Sequence, residues 1–303
     1  MPERPSGGQV PETHLHVRFW GVRGSIPCPG REYVRYGGNT TALQICRESD
    51  EKLLILDAGT GLRCLGDQLQ ESNSNAQAGR IFITHSHWDH IQGLPFFKPF
   101  YSEKSAFTIH MPEQYQGGTE EVLDAYLTKS FFPINLSALK AAKTFVTQPE
   151  ERSGYEGYSI EYMVANHPNK TAIYKISMDG CQIIFAPDNE LSDQRDPSMI
   201  RFMERFKEFI RGCDLLVHDA QYDRLSYPSR AGRGHSSWES VVEVARECGV
   251  RRLLLTHHDP DSTDGYLEEV DSKLERYRGE PFLRLELARE GMDVTLPKKG
   301  VSL

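Results

Sequence analysis

A group of potential metal ligands follows a strand-like run. The run Ile81-Phe82-Ile83 is apolar and typical of a buried strand, and two histidines, an aspartate and a third histidine follow between positions 85 and 90. His85 and His87 are two residues apart, so in an extended segment they project from the same side. Asp89 and His90 lie where the chain turns into a helix, and they can point toward a neighbouring position. Imidazole and carboxylate without thiolate suit zinc, manganese or iron better than magnesium. This segment can therefore serve two adjacent cations.

The segment His85-Ser86-His87-Trp88-Asp89-His90 resembles the HxHxDH signature of the metallo-β-lactamase-fold hydrolases. A polar loop with surface histidines is the simpler interpretation, but such a dense set directly after a buried strand favours a metal site. The resemblance extends over nearly the whole chain. It implies an α/β fold of the αββα type, with two mixed β-sheets flanked by helices. It also implies one cleft at the rim where several strands deliver polar residues.

The resemblance supplies three further ligand positions and divides the set between two divalent ions, expected to be zinc with manganese or iron as alternatives. The implied sites are His85, His87 and His167 for one ion, and Asp89, His90 and His257 for the other, with Asp188 shared between them. Asp57, in a glycine-containing turn after a strand, is expected to support a ligand instead of binding metal directly. His218 and His258 are expected to support the site or the core.

A second pair, Asp219 and His235, resembles the "HEAT" and "HST" elements of the ribonuclease Z-like phosphodiesterases. These elements are written here His218-Asp219-Ala220-Gln221 and Gly234-His235-Ser236-Ser237. Aspartate replaces glutamate, which shortens the reach by one methylene. A carboxylate that orients and charges an imidazole enables it to protonate a departing ribose oxygen. His235, Asp219 and Asp89 are therefore the catalytic candidates.

Departures from other branches narrow the implied reaction to phosphodiester hydrolysis. Oxygen-reducing di-iron members typically have glutamate at the position of His87, and zinc β-lactamases typically have cysteine at the position of Asp188. Two substrate classes remain. One is the 3′ end of precursor tRNA, as for ribonuclease Z, and the other is a small cyclic phosphodiester, as for phage anti-Pycsar enzymes and their bacterial relatives. A lactonase or thioesterase of the same fold is a weaker alternative.

Charge favours the small substrate. The chain has a net charge of -8, and no basic run lies between His90 and His167, where ribonuclease Z usually carries a basic arm. We therefore predict hydrolysis of 3′,5′-cyclic nucleotides to linear monophosphates, with nucleic acid disfavoured as a partner. The resemblance also implies a homodimer, because relatives are commonly dimers.

The elements that must position these residues are predicted from pattern and turn signals. Residues Met1 to Thr13 are expected to form a flexible leader, followed by a single domain from 14 to 303. Gln68 to Gly79 is polar and is predicted as a loop. The predicted helices are Thr119 to Lys129, Pro197 to Arg211, Trp238 to Cys248 and Tyr266 to Tyr277. Asp179-Gly180 predicts a hairpin turn.

Aromatic residues between His90 and His167 have two interpretations. Most are expected in the core, and one or two are expected to form a cleft wall that stacks on a base. They are Phe96, Phe97, Phe100, Tyr101, Phe131 and Phe132.

Composition bears on the size of the core, on membrane spans and on cellular location. The chain has 303 residues, of which 38% are hydrophobic, enough for a substantial core. No apolar run approaches the ~18 residues of a membrane span. The six cysteines are scattered without a CxxC pair, which favours buried thiols in a reducing compartment and a cytoplasmic location.

Overall fold

The computed structural model describes residues 14–47, 50–72, 77–147, 152–192, 196–279 and 281–298. The leader predicted at Met1 to Thr13 lies outside the described residues, so its flexibility stays a prediction.

Two β-sheets form the centre of the molecule, and the described part of the chain contributes seven strands to each. In chain order the strands are β1 (Leu15–Gly21), β2 (Ala42–Arg47), β3 (Lys52–Leu56), β4 (Ala78–Phe82), β5 (Ala106–Met111), β6 (Ala142–Thr147), β7 (Arg152–Tyr155), β8 (Tyr158–Val164), β9 (Ala172–Met178), β10 (Cys181–Ala186), β11 (Leu215–Asp219), β12 (Arg252–Thr256), β13 (Arg284–Leu287) and β14 (Asp293–Leu296). The first sheet has the order β14-β1-β2-β3-β4-β5-β6, and the second has the order β13-β12-β11-β10-β9-β8-β7.

Both sheets are mixed, and their parallel parts determine where polar residues meet. Strands β3 to β6 are parallel neighbours in the first sheet, and strands β10 to β13 are parallel neighbours in the second. Parallel strands are covered on both faces, which explains why every residue of Leu215–Asp219 is buried. Because the strands run in one direction, the residues that follow β10, β11 and β12 emerge at the same edge.

The described residues form six helices, of which α1 and α3 to α6 cover the outer faces. They are α1 (Gly61–Glu71), α2 (Trp88–Ile91), α3 (Thr119–Tyr126), α4 (Pro197–Ile210), α5 (Trp238–Glu247) and α6 (Asp264–Leu274). Helix α4 begins where the Asp196 side chain accepts hydrogen bonds from the backbone N–H groups of Ser198 and Met199, a standard N-cap. None of the helices in this described set is long and apolar enough to span a bilayer.

Three apolar clusters define the layers. One lies between the sheets and joins residues of both, for example Val17 of β1 and Val217 of β11. The second lies between the second sheet and helices α4 to α6, and the third lies between the first sheet and helices α1 and α3. The order is therefore helix, sheet, sheet, helix, and the predicted αββα fold is confirmed.

Helix α1 differs from the sequence prediction. It continues to Glu71, so the loop begins about one turn later than the predicted start at Gln68. Leu62 and Leu65 are buried on its inner face, and Leu69 packs against the same cluster one turn further on. This spacing of apolar residues was the available signal, but the polar residues on the outer face obscured it.

Candidate metal centre and active site

The first ligand segment follows β4 at the rim of the first sheet. The strand ends at Phe82, the backbone of His87 is extended, and helix α2 starts at Trp88. His85 and His90 are fully buried, and Asp89 is 5% exposed. The change from strand to helix therefore points the two pairs of side chains into one cleft, as the spacing predicts.

The structure brings all seven predicted ligand residues together. One compact group contains His85, His87, His167 and Asp188, and another contains Asp89, His90 and His257; within each group the candidate ligand atoms lie within 4.8 Å of one another. A third such group, Asp188, His235 and His257, adds the predicted acid. His235 is therefore close enough to the centre for a ligand role to be a competing interpretation.

Asp188 lies between the two main groups. Its Oδ2 atom is 3.7 Å from Nε2 of His85 and 3.7 Å from Nε2 of His167. Its Oδ1 atom is 3.0 Å from Nε2 of His90 and 3.2 Å from Nε2 of His257. Each carboxylate oxygen thus faces a different group, which is the arrangement that a shared ligand requires.

Surrounding residues fix the ligand side chains. The buried Asp57 accepts a hydrogen bond from His90 Nδ1 at 2.7 Å and another from the backbone N–H of Thr84 at 2.7 Å. His90 consequently presents Nε2 to the cluster. The backbone N–H of Ser25 donates to Asp89 Oδ2 at 2.8 Å. Ser25, Asp57 and His257 all have left-handed backbone conformations, an uncommon state that concentrates at functional sites.

The electrostatics of the cluster suit cations. Burial, together with the neighbouring imidazoles, lowers the pKa of His85 well below its usual value, which keeps its lone pair available. Burial also opposes the charged form of His90, but Asp89, Asp188 and Asp57 outweigh it and raise the pKa of His90 well above 6.5. Likewise burial opposes ionisation of Asp188, but His257, His90 and His85 outweigh it and lower its pKa. The second ligand group, Asp89, His90 and His257, therefore stabilises positive charge.

The atoms that face the centre lack other partners. His85 Nε2, His90 Nε2 and Asp188 Oδ1 are buried and make no hydrogen bond of normal geometry within the described part of the chain. Buried polar atoms without partners are costly, and metal coordination is the usual explanation for several that converge. The donor set consists of imidazole nitrogens and carboxylate oxygens, which fits zinc, manganese or iron.

The predicted acid pair forms despite the shorter aspartate. Asp219 is the last residue of β11, and its Oδ2 accepts a hydrogen bond from His235 Nδ1 at 2.8 Å. Its other oxygen accepts from the backbone N–H of Gln221 at 2.8 Å. Burial alone lowers the pKa of His235, but the Asp219 carboxylate and its hydrogen bond raise it to about 9. The Asp219 carboxylate therefore favours the protonated form of His235, with Nε2 free of this hydrogen bond.

The two remaining histidines near the site have structural contacts. His218 accepts from Asn189 Nδ2 at 3.0 Å and donates to the backbone oxygen of Asp219. His258 Nε2 donates to the backbone oxygen of Ala288 at 2.8 Å. Both rings are buried, and neither belongs to a candidate ligand group.

The cleft has a volume of about 520 Å³ and contains residues that the sequence analysis did not single out. Ser25, Tyr115, Asn169 and Arg233 line it together with the metal-site residues. Arg233 is the single lysine or arginine among its described lining residues. Its position two residues before His235 was visible in the sequence, but the surrounding glycines also fit a plain turn.

An apolar cavity of about 450 Å³ adjoins the cleft and shares Ser86, Trp88 and Gln116 with it. Tyr126 and Phe131 form part of its wall. Of the predicted aromatic candidates, Phe131 therefore lies in the wall of the cavity beside the cleft. The others do not line either cavity, and Phe97 and Phe100 are buried in the core.

Known proteins are similar to this chain in sequence. The sequence profile of the β-lactamase superfamily domain matches residues 53–258. Ribonuclease Z of Haloarcula marismortui is 23% identical over 92% of this chain and 96% of its own length. Ribonuclease Z of Bacillus subtilis is also 23% identical, over 92% of this chain and 94% of its own length.

Two solved structures resemble most of the chain. The metallo-β-lactamase fold protein YhfI of Bacillus subtilis has a TM-score of 0.66 and 17% identity, and the match covers 93% of this chain and 99% of YhfI. The short form of human tRNase Z has a TM-score of 0.62 and 19% identity, and the match covers 93% of this chain and 99% of that protein. These similarities show a common fold.

Proposed function

Because this chain belongs to the β-lactamase superfamily, we propose that it is a metal-dependent hydrolase of phosphodiester bonds. The observation that carries the proposal is the position of Asp188, whose two oxygens face two separate histidine-containing groups. The adjacent Asp219–His235 pair adds a proton donor at the same cleft. A shared carboxylate and a positioned acid together suit the cleavage of an ester with a poor leaving group.

The residues present fit a pair of divalent ions. His85, His87 and His167 would hold one, Asp89, His90 and His257 would hold the other, and Asp188 would contact both. Such a pair supplies Lewis-acid stabilisation of charge on the phosphoryl oxygens and activates a water nucleophile at neutral pH. Asp57, which holds the His90 ring by its Nδ1 atom, preserves the orientation of Nε2.

His235 supplies the proton that the leaving group needs. The Asp219 carboxylate holds Nδ1 and keeps the ring charged, so Nε2–H is available toward the cleft. A ribose oxygen departs as an alkoxide unless it is protonated, and a positioned imidazolium contributes typically 10²–10⁴-fold to such a step.

The first candidate substrate is the 3′ end of an RNA, with precursor tRNA as the test case. Two relatives named ribonuclease Z align with this chain over more than nine-tenths of their own lengths. These relatives favour precursor tRNA, the alternative substrate in the sequence analysis, over 3′,5′-cyclic nucleotides.

Small cyclic phosphodiesters are the second candidate, and the charge of the cleft favours them. Arg233 is the single Lys or Arg that lines it in the described chain, and the sequence has a net charge of -8. A polyanion is usually bound by several cations, whereas one mononucleotide needs few. The cleft volume of about 520 Å³ also falls within the range of small-molecule sites.

A panel assay separates these substrates. Metal-loaded wild type is incubated with precursor tRNA, 3′,5′-cyclic nucleotides, bis(p-nitrophenyl) phosphate, a lactone and a thioester. Trimming of the tRNA 3′ end supports the first candidate, and linear monophosphates support the second. Hydrolysis of the lactone or thioester alone would show that the proposed reaction is wrong.

Asp188→Ala is the matched test of the site, with the exposed Asp124→Ala as its control. We expect Asp188→Ala to abolish phosphodiester hydrolysis and lower bound metal, because it removes the carboxylate that both groups share. Asp124→Ala should leave both quantities unchanged.

A further inference from the structure

A buried carboxylate holds the loop that precedes helix α5. Glu190 is 2% exposed. It accepts hydrogen bonds from the backbone N–H groups of Gly232 and Gly234, each at 2.8 Å, and from the hydroxyl of Tyr227 at 2.7 Å. Charge-assisted hydrogen bonds of this type are among the stronger ones in proteins. The loop therefore has a defined path across the rim of the cleft.

Glu190 is itself attached to the metal-site framework. Its backbone N–H donates to the backbone oxygen of Asn166 at 3.0 Å, and its backbone oxygen accepts from Asn166 Nδ2 at 2.9 Å. Asn166 precedes His167, and Glu190 follows Asp188 by two residues. Glu190 thus connects the loop, through its side chain, to two segments that carry candidate ligands, which it joins through its backbone.

The two N–H groups that Glu190 binds flank a single residue, Arg233. Gly232 and Gly234 have φ values of +84° and +89°, a left-handed conformation that glycine adopts at low cost. At Gly234 a Cβ atom would lie 2.1 Å from His167 Nδ1, so no larger residue fits there without displacing that ring. The backbone on both sides of Arg233 is therefore constrained by glycine, by Glu190 and by a candidate ligand.

Arg233 is a free cation at the reaction site. It lines the same cleft as Asp188, His235 and His257. Its side chain makes no hydrogen bond or ion pair with the residues that the structure describes, unlike Arg230 of the same loop, which pairs with Asp259 at 2.7 Å. A guanidinium presents a planar fork of N–H donors that matches phosphate oxygens.

From this geometry we infer that Arg233 binds a phosphate oxygen of the substrate and that Glu190 is the residue that positions it. The ligand class is a phosphodiester or a phosphate monoester. The inference rests on the proposed function and adds to it the residue that recognises the substrate anion. Because Glu190 holds the backbone on both sides of Arg233, the guanidinium is directed toward the cleft before the substrate arrives, which lowers the cost of ordering it.

The test compares Arg233→Ala and Arg233→Lys with Arg224→Ala. Arg224 lies in the same loop but pairs with Glu243 outside the cleft, so its removal changes the net charge equally. With bis(p-nitrophenyl) phosphate we expect Arg233→Ala to raise KM about tenfold or more with a much smaller change in kcat, because binding is what is lost. Arg233→Lys should be intermediate, and Arg224→Ala should match wild type. A KM for Arg233→Ala within twofold of wild type would overturn the inference.

The role of Glu190 is tested by a double-mutant cycle. Glu190→Gln should raise KM in the wild-type background and add little in the Arg233→Ala background, since both changes remove one interaction. A merely structural role would give the same KM increase in both backgrounds, and would contradict a positioning role. Circular dichroism and metal content confirm that each variant is folded and loaded.

Binding of inorganic phosphate separates this inference from the proposed function. Calorimetric titration of the metal-loaded protein needs no turnover, so it applies even if wild type hydrolyses no phosphodiester in the panel. We expect Arg233→Ala to weaken phosphate binding about tenfold relative to Arg224→Ala. Equal affinities would reject the role of Arg233 whatever the panel shows, and an inactive wild type would reject only the proposed reaction.

Discussion

His235 can be tested as a proton donor against its competing role as a ligand. We expect His235→Ala to keep metal content near that of wild type and to lower the rate on a ribose-ester substrate roughly 10²–10⁴-fold. The loss should be much smaller on bis(p-nitrophenyl) phosphate, because p-nitrophenolate departs without a proton. Rates on both substrates and metal analysis of the same preparation provide the measurement.

Asp219→Asn is the companion change. The amide still reaches His235 Nδ1 but cannot supply the charge that raises the pKa of that imidazole to about 9. We expect the same selectivity for leaving groups with a smaller loss. If either variant lost the same rate on both substrates and also held less metal, His235 would be assigned to the metal ligands.

His110 carries a separate, pH-dependent prediction. The ring is stacked on Phe82 with centroids 4.3 Å apart, and neither ring nitrogen has a hydrogen-bond partner among the described residues. Burial and, secondarily, Arg80 lower the pKa of His110 to about 4. A histidine whose pKa is lower in the folded state stabilises the fold fully above its unfolded pKa of about 6.5, and that stability is lost as the pH falls.

His110→Phe should remove this sensitivity, because the phenyl ring keeps the stacking and loses no hydrogen bond. Between pH 7 and pH 5 we expect wild type to lose about 2 kcal/mol more unfolding free energy than the variant. Urea unfolding of both proteins at both pH values, with the same metal concentration, measures this difference in unfolding free energy. If the two proteins lose equal amounts of stability, His110 is not the neutral buried group described here.

Single residues differed in how far the sequence could predict them. The ligand segment from His85 to His90 is local, so its pattern alone indicated metal chemistry. His167, Asp188 and His257 are far apart in sequence and were assigned only through the family resemblance. Glu190 had no signal at all, since its function depends on backbone N–H groups more than forty residues away.

At the scale of elements, strand direction explains why distant polar residues converge. Strands β10, β11 and β12 are parallel neighbours, and the residues after them include Asp188, Asp219 and His257. The sequence implied, through the family resemblance, that several strands deliver polar residues at one rim. It could not predict the register between strands, because buried parallel strands are nearly uniformly apolar and do not reveal their neighbours.

The second ligand group, which contains His257, depends on the shape of the turn after β1. Gly24 lies against His257, and a Cβ atom at this position would be 2.4 Å from the imidazole ring. We expect Gly24→Ala to displace the ring and reduce metal affinity or activity roughly 10–100-fold, the range typical of residues that orient ligands. Metal titration and the rate on bis(p-nitrophenyl) phosphate measure the effect.

Gly265→Ala is the matched control for this change. Gly265 is near the start of helix α6, where a new Cβ would meet only Thr263 Oγ1 at 3.9 Å, so alanine should be tolerated or slightly stabilising. Wild-type metal affinity in Gly24→Ala would mean that the turn moves freely and does not hold His257.

At the scale of the whole molecule, the two ends of the described chain meet in one sheet. Strand β14 pairs with β1 in antiparallel register, from Leu15 opposite Leu296 to Arg18 opposite Asp293. The last strand therefore completes the sheet that the first strand begins. No local signal in the sequence assigns this last strand to β1. The expected homodimer concerns the same scale and stays a prediction.

Shared packing leads to a prediction about unfolding. The central cluster contains residues of both sheets, so neither sheet can keep its inner face buried when the other unfolds. We therefore expect residues 14 to 303 to unfold as one cooperative unit, as the sequence analysis predicted for a single domain. Two tryptophans report on the two halves: Trp20 lies in β1 of the first sheet, and Trp238 begins α5 on the second.

Single-tryptophan variants make the comparison direct. Trp88→Phe combined with Trp238→Phe leaves Trp20, and Trp88→Phe combined with Trp20→Phe leaves Trp238, since the chain has three tryptophans. In each variant, the urea midpoint from fluorescence should coincide with the midpoint from far-UV circular dichroism, because coincident probes indicate a two-state transition. Both are measured at one fixed metal concentration, since bound metal shifts apparent stability. If the Trp238 signal changed well before the dichroism while the Trp20 signal followed it, the second sheet would unfold separately, and the single-domain prediction would be wrong.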